Sequence, residues 1–262
     1  MNADFRNMLE GLSLRVFTKK SKAGTTTILQ VTTSLKNRGF VETVTLIKKN
    51  LVYQIQWYLD RTFDRRFGTD TSGQIQLDSL KIESHNRQHG IYYEATPTKL
   101  FSSVMKNYLD VRYEDFIFID LGSGKGRPLL LASDFPFKEI IGIEFSDSLH
   151  QVAQSNIAIY KSKIQKCFTI KSLCMDATEY QFPMENLVLF FYHPFREPVL
   201  SYVLDKLKQS IKEKHRKIII IYCNPLLSHH IEQLGFLTQR KEIQLPFDFT
   251  RKLQRKFAVY SN

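Results

Sequence analysis

The stretch Asp120-Leu121-Gly122-Ser123-Gly124-Lys125-Gly126 decides how this chain is read. It follows the apolar run Phe116–Ile119, a strand-sized segment, and leads into a helix opening over Gly126–Ser133 that tolerates Pro128 in its first turn. Strand, glycine turn and helix in immediate succession form the first half of a βαβ unit. Glycines let the backbone turn sharply and come within contact distance of a ligand. Amides at the start of the following helix favour an anionic group.

Working outward, short apolar runs alternate with helical patterns. Downstream, strands are expected at Glu139–Glu144, Phe168–Leu173, Leu187–Tyr192 and Lys217–Cys223. Helices are expected from Asp147 to Lys161, over Pro198–Ile211, and over Pro225–Leu234 with Gly235 closing it. Two terminal strands follow, Phe236–Glu242 and Lys256–Tyr260. Upstream, Thr96 reads as an N-cap with Pro97 in the first turn of a helix whose apolar face is Leu100, Phe101, Val104, Met105, Tyr108 and Leu109. The expected fold is α/β: a doubly wound, mostly parallel seven-strand sheet with an N-terminal, mainly helical extension. Residues 1–85 are polar and basic in texture and are expected to form an accessory or lid region, with a helix over Phe40–Phe63 and strands near Leu14–Phe17 and Thr27–Thr32. Residues 86–262 form the second, catalytic domain of this reading.

Doubly wound sheets bind ligands beyond the carboxyl ends of their strands. The first end carries Asp120, Gly122, Ser123 and Gly124. The second ends in Glu144-Phe145, where a carboxylate can accept both hydroxyls of a ribose. The third leads to Asp176-Ala177, where a short acid can accept from an adenine amino group. Together these ends describe one nucleoside site. A nicotinamide site wants G-x-G-x-x-G, and a P-loop wants GxxxxGK followed by Ser or Thr. Neither fits G-x-G-x-G followed by Arg127-Pro128. Asp120 gives a pyrophosphate nothing, but it suits the amino group of S-adenosylmethionine, the cofactor expected here.

The fourth strand ends in Tyr192-His193-Pro194-Phe195, which are the candidate catalytic residues. Aromatic faces and carbonyls suit a sulfonium cation. His193 is of a type able to take a proton from a nucleophile near neutrality, or merely to orient backbone or stack on Phe195. Asn224-Pro225, after the fifth strand, reads as a substrate contact or simply as a helix start.

The net charge of +11 points to an acidic partner or to a basic solvated surface. The basic residues are scattered, and no nucleic-acid signature accompanies them. The three cysteines, Cys167, Cys174 and Cys223, have no metal spacing, and their odd number suits a reducing compartment. No apolar run reaches membrane-spanning length and no secretion signal opens the chain, so a cytoplasmic protein without a membrane partner is expected.

At these residues the chain resembles class I S-adenosylmethionine-dependent methyltransferases, from about Tyr93 to the C-terminus. It is most similar to a bacterial group that also carries a segment like Phe63-Asp64-Arg65-Arg66-Phe67-Gly68-Thr69-Asp70-Thr71, then Tyr93-Glu94-Ala95-Thr96-Pro97. The loop and the Tyr93–Pro97 segment are also similar to the seven-strand lysine methyltransferases of the histone type. The resemblance implies that Tyr93 and Thr96 lie over the methionine end of the cofactor. It implies that Asp120, Gly122 and Gly124 hold the methionyl part, Glu144 the ribose and Asp176 the adenine end. The group usually shows Asn-Pro-Phe where this chain has His193-Pro194-Phe195. That departure weakens any transfer of nitrogen specificity.

Arg65 and Arg66 are of a type to pair with a carboxylate of cofactor or substrate, or to be held by Asp64 and Asp70 in a structural network. The expected activity is methyl transfer to a nitrogen or carboxylate on a protein, peptide or biosynthetic intermediate, with an acidic protein or peptide as partner. The alternatives are a nucleic-acid methyltransferase, suggested by the charge, and a non-catalytic module that only binds S-adenosylmethionine.

Overall fold

Seven strands form one sheet in the order β5-β4-β3-β6-β7-β9-β8. They are β3 (Phe116–Leu121), β4 (Glu139–Glu144), β5 (Ile170–Cys174), β6 (Asn186–Tyr192), β7 (Ile218–Cys223), β8 (Gln239–Gln244) and β9 (Lys256–Ser261). Strands β3 to β7 are parallel, and β9 runs antiparallel to both β7 and β8. A further pair, β1 (Gln74–Ile75) and β2 (Tyr93–Glu94), forms a small antiparallel sheet that the sequence patterns do not announce. The computed structural model describes residues 61–244 and 256–262, all within one compact unit. The strands expected at Leu14–Phe17 and Thr27–Thr32, and most of the Phe40–Phe63 helix, lie outside the described residues; residues 61–67 are helical.

The strand sequences explain this arrangement. β3 and β7 are buried along their whole length, as parallel strands covered on both faces must be. Alternate side chains divide between two cores. Phe116, Phe118, Val188, Phe190, Ile219 and Ile221 face α1 (Thr98–Tyr108) and α2 (Arg127–Ala132). Ile117, Ile119, Leu187, Leu189, Ile218 and Ile220 face α4 (Glu197–Glu213) and Ile231 of α5 (Ser228–Glu232). α3 (Asp147–Ile159) packs mainly on β5. The Phe101 ring lies edge-on to Phe118 and Phe190, at 5.9 and 5.2 Å, which clamps α1 to the sheet centre.

Several boundaries move for local reasons. Thr96 does not cap α1. The Pro97 carbonyl accepts the first helical bond from Phe101, so extended Pro97 is the cap, and Thr96 is buried, 3% exposed. The last helix is shorter than Pro225–Leu234. Asn224 adopts a positive φ of 55°, and its carbonyl accepts from the Leu226 amide at 2.8 Å, a tight turn that delays α5 to Ser228. β8 starts at Gln239, three residues after the expected start. Among the described residues no helix is long and apolar enough to cross a membrane.

Candidate functional site

The carboxyl ends of β3, β4, β5, β6 and β7 surround a cavity of about 300 Å³. This lies at the lower end of the range for small-molecule sites, roughly 300–1,000 Å³. All fourteen expected site residues border it or its walls. Tyr93, Thr96, Asp120, Gly122, Ser123, Gly124, Glu144, Phe145, Asp176, Ala177, Tyr192, His193, Pro194 and Phe195 line it, together with Asn224.

The glycine loop is held tightly. The Gly122 and Ser123 amides donate to the Ile143 carbonyl at 2.8 and 3.0 Å. The Gly124 amide donates to Glu144 Oε2 at 2.8 Å, and the Ser146 amide to Oε1 at 2.8 Å. Gly124 sits at φ +53°, and any Cβ there would run into the Tyr93 ring. Glycine is therefore needed twice over, for the backbone angle and for the aromatic lid.

Two carboxylates lie under this loop. Burial, then the nearby Glu144 charge, holds the Asp120 carboxyl well above its usual range. Burial raises Glu144 to about 7, against the opposing amides of Ser146, Gly124 and Phe145. Asp120 Oδ2 and Ser123 Oγ are buried without a hydrogen-bond partner among the described residues. An orphaned carboxylate oxygen is costly unless a ligand donor meets it. An ammonium group answers that need, and the unfilled lone pairs of Glu144 suit vicinal hydroxyls. The residues present thus fit S-adenosylmethionine.

Asp176 is more fully engaged than the sequence suggests. Oδ1 accepts from the Thr178 amide and hydroxyl at 2.9 and 2.7 Å, and Oδ2 accepts from Asn86 Nδ2 at 3.0 Å and from the Ser84 hydroxyl. These bonds outweigh burial and hold its carboxyl below the usual value. They also pin the segment before β2 across the cavity. That segment is fastened again where the Ile91 amide donates to the Pro194 carbonyl at 3.1 Å, and the Arg196 amide to the His89 carbonyl at 2.8 Å. Its last fastening is the Tyr93 hydroxyl, which donates to the Thr71 carbonyl at 2.5 Å. Residues 84–93 therefore form a strap over the strand ends. Nothing in its sequence marks it except the Ser-x-Asn pair that caps a short turn.

Next to the glycine loop is a partly buried ionic cluster. Arg127, 0% exposed, donates through Nε to Thr71 Oγ1 at 2.7 Å and pairs with Asp64 at 3.6 Å. Asp64 also accepts from Thr69, Thr71 and Ser72. Asp70 pairs with Lys125 at 2.8 Å. The two aspartates thus serve Arg127 and Lys125, not Arg65 and Arg66, which are exposed. A basic residue opening an otherwise apolar helix, Arg127-Pro-Leu-Leu-Leu-Ala, was the available signal.

At the end of β6, His193 has a positive φ of 44° and its Nδ1 lies 2.9 Å from the Tyr222 hydroxyl. The two rings are nearly parallel, 21° apart. Burial lowers the His193 pKa. Tyr222, the one aromatic residue in the Ile-Ile-Ile-Ile-Tyr-Cys strand, escaped the sequence reading because it sits among core positions.

The chain is similar to several known proteins. Residues 74–189 match the family model described as Histone methylation protein DOT1. No curated protein matches the chain. Among solved structures, the methyltransferase domain of bacterial CtHen1 is 14% identical, with a TM-score of 0.46 over 63% of this chain and 98% of that one. A precorrin-6y methyltransferase from Geobacter metallireducens is 12% identical, with a TM-score of 0.45 over 72% and 98%. The chain is a class I, Rossmann-like methyltransferase. Its methyl donor is S-adenosylmethionine, and the matched segment, which runs from β1 into β6, is similar to the DOT1 type.

Proposed function

We propose that this enzyme transfers the methyl group to a nitrogen or carboxylate on a protein, peptide or biosynthetic intermediate. The observation that carries the reading is the orphaned Asp120 oxygen in a cavity closed on its far side by His193, Pro194 and Phe195. Asp120 and Ser123 meet the amino group of the methionyl part. Glu144 takes the ribose hydroxyls. Phe145 and Ala177 bound the adenine end, and Asp176 acts there by holding Ser84 and Asn86. Tyr93 and Thr96 cover the methionine end, and the strap of residues 84–93 forms the lid.

S-adenosylmethionine supplies an electrophilic methyl on a sulfonium sulfur. The protein's part is to orient the acceptor and exclude water, since displacement needs an aligned nucleophile. The Tyr192–Phe195 wall and the strap do both. The test is transfer of labelled methyl groups to cell extract, separated into protein, nucleic acid and small molecules. Label in protein or small molecules is expected. Label confined to nucleic acid gives the basic surface the role of RNA or DNA binding and overturns the proposal. Cofactor binding without any transfer leaves a non-catalytic module.

A further inference from the structure

We propose that Tyr222 sets His193 as a hydrogen-bond donor rather than a base, and that the acceptor taken by this site is a carboxylate. The proposal rests on the methyl-transfer reading of the cavity given above.

Tyr222 is 1% exposed, and its hydroxyl lies 2.9 Å from His193 Nδ1. Burial pushes the phenol up to about 12, so it keeps its proton at physiological pH. A buried phenol O–H needs an acceptor, and Nδ1, 2.9 Å away, is placed to accept from it. A neutral imidazole that accepts at Nδ1 carries its own proton on Nε2. Protonating Nδ1 as well would set N–H against O–H, in a place where burial already disfavours the imidazolium. The ring therefore stays neutral and offers the cavity an N–H.

The backbone supports a built acceptor site. Among the described residues, His193 and Asn224 are the two non-glycine positions with positive φ, 44° and 55°. They follow the adjacent parallel strands β6 and β7, and both line the cavity. Backbone of this kind persists where the surroundings impose it, commonly at functional sites. Asn224 adds a side-chain amide to the same wall.

An N–H donor is the wrong partner for an amine nucleophile, because it would occupy the single lone pair that must attack. A carboxylate has lone pairs to spare. One oxygen accepts from Nε2–H while the other attacks. A C–O bond then forms to the methyl carbon, the C–S electron pair stays on sulfur, and the sulfonium becomes a thioether. No proton is released, so no base is required, and the product is a methyl ester.

Two measurements test this. Nitrogen-15 NMR of histidine-labelled full-length protein should show His193 protonated at Nε2 and not at Nδ1, with the two tautomers mixed in Tyr222→Phe. Protonation at Nδ1 in the unaltered protein overturns the role given to Tyr222, whether or not the variant folds. In the second, soluble extract proteins methylated with labelled cofactor are treated with mild base. Release of most of the label as volatile methanol is expected, with transfer reduced about tenfold in Tyr222→Phe. Base-stable label overturns the carboxylate assignment while leaving methyl transfer intact. No transfer to any fraction overturns the underlying reading and the acceptor class with it, and the NMR result still decides the tautomer.

Discussion

Asp64 and Arg127 meet at 3.6 Å, sixty-three residues apart in the chain, with the guanidinium wholly buried behind the glycine loop. Burial alone would raise the Asp64 carboxyl, but hydrogen bonds from Thr71, Ser72 and Thr69 outweigh it and hold the value below 3.8. A depressed carboxyl adds stability above its unfolded pKa, and that stability is lost as pH falls through the folded value. Removing the carboxylate leaves the Arg127 charge buried without it. Asp64→Ala should therefore destabilise the fold by about 3–5 kcal/mol, measured by urea unfolding at pH 7. Arg65→Ala, at an exposed site, should change stability by less than about 0.5 kcal/mol. Equal effects from the two variants would contradict the network described here.

Gly124 and Gly68 separate crowding from backbone strain. Both have positive φ, +53° and +72°, but only at Gly124 would a Cβ meet another group, the Tyr93 ring. Gly68→Ala should cost about 1–2 kcal/mol of stability and leave cofactor affinity unchanged. Gly124→Ala should weaken S-adenosylmethionine binding tenfold or more, read by calorimetry, because the ring or the loop must move. An unaltered dissociation constant in Gly124→Ala would remove the loop from the binding site.

Cofactor binding should depend on pH through Glu144. Its carboxyl is raised from 4.5 to about 7 in the ligand-free protein, chiefly by burial. In the proposed binding mode ribose hydroxyls donate to the ionised form, so binding should release a proton below pH 7. Affinity should rise several-fold between pH 6 and pH 7.5. Calorimetry in buffers of different ionisation enthalpy should show that proton appearing. For the ligand-free fold the sign is opposite to that of Asp64. A raised carboxyl adds stability below pH 4.5, and that stability is lost as pH rises through about 7. Binding that neither releases protons nor varies with pH would place the ribose elsewhere.

The strap depends on Asp176. Replacing it with Asn removes the charge that draws Ser84 and Asn86 and puts an amide N–H against one pair of donors. Hydrogen exchange at residues 84–91 should accelerate while the central strands β3 and β6 stay protected. Cofactor affinity should fall with it, by about tenfold. Faster exchange without loss of affinity would show that the strap is dispensable for binding.

The sequence by itself determined the parts written at short range. Alternating and continuous apolar runs placed all seven strands of the sheet to within a few residues. The loop from Asp120 to Gly126, with Glu144 and Asp176 at the next strand ends, pointed to the cofactor. These signals are local because the central strands β3 and β7 bury both faces, and because the backbone angle at Gly124 is a property of that residue and its neighbours. Only the tertiary structure decided the rest. Asp64 finds Arg127, Ser84 and Asn86 find Asp176, and Tyr222 finds His193, across separations of 63, 92, 90 and 29 residues. No periodicity encodes such pairings, since which carboxylate meets which donor follows from where the chain crosses the strand ends. The Tyr222 hydroxyl shows this most plainly. In the sequence it is one more large residue in an isoleucine strand, and in the fold it touches the imidazole of His193, which lines the cavity.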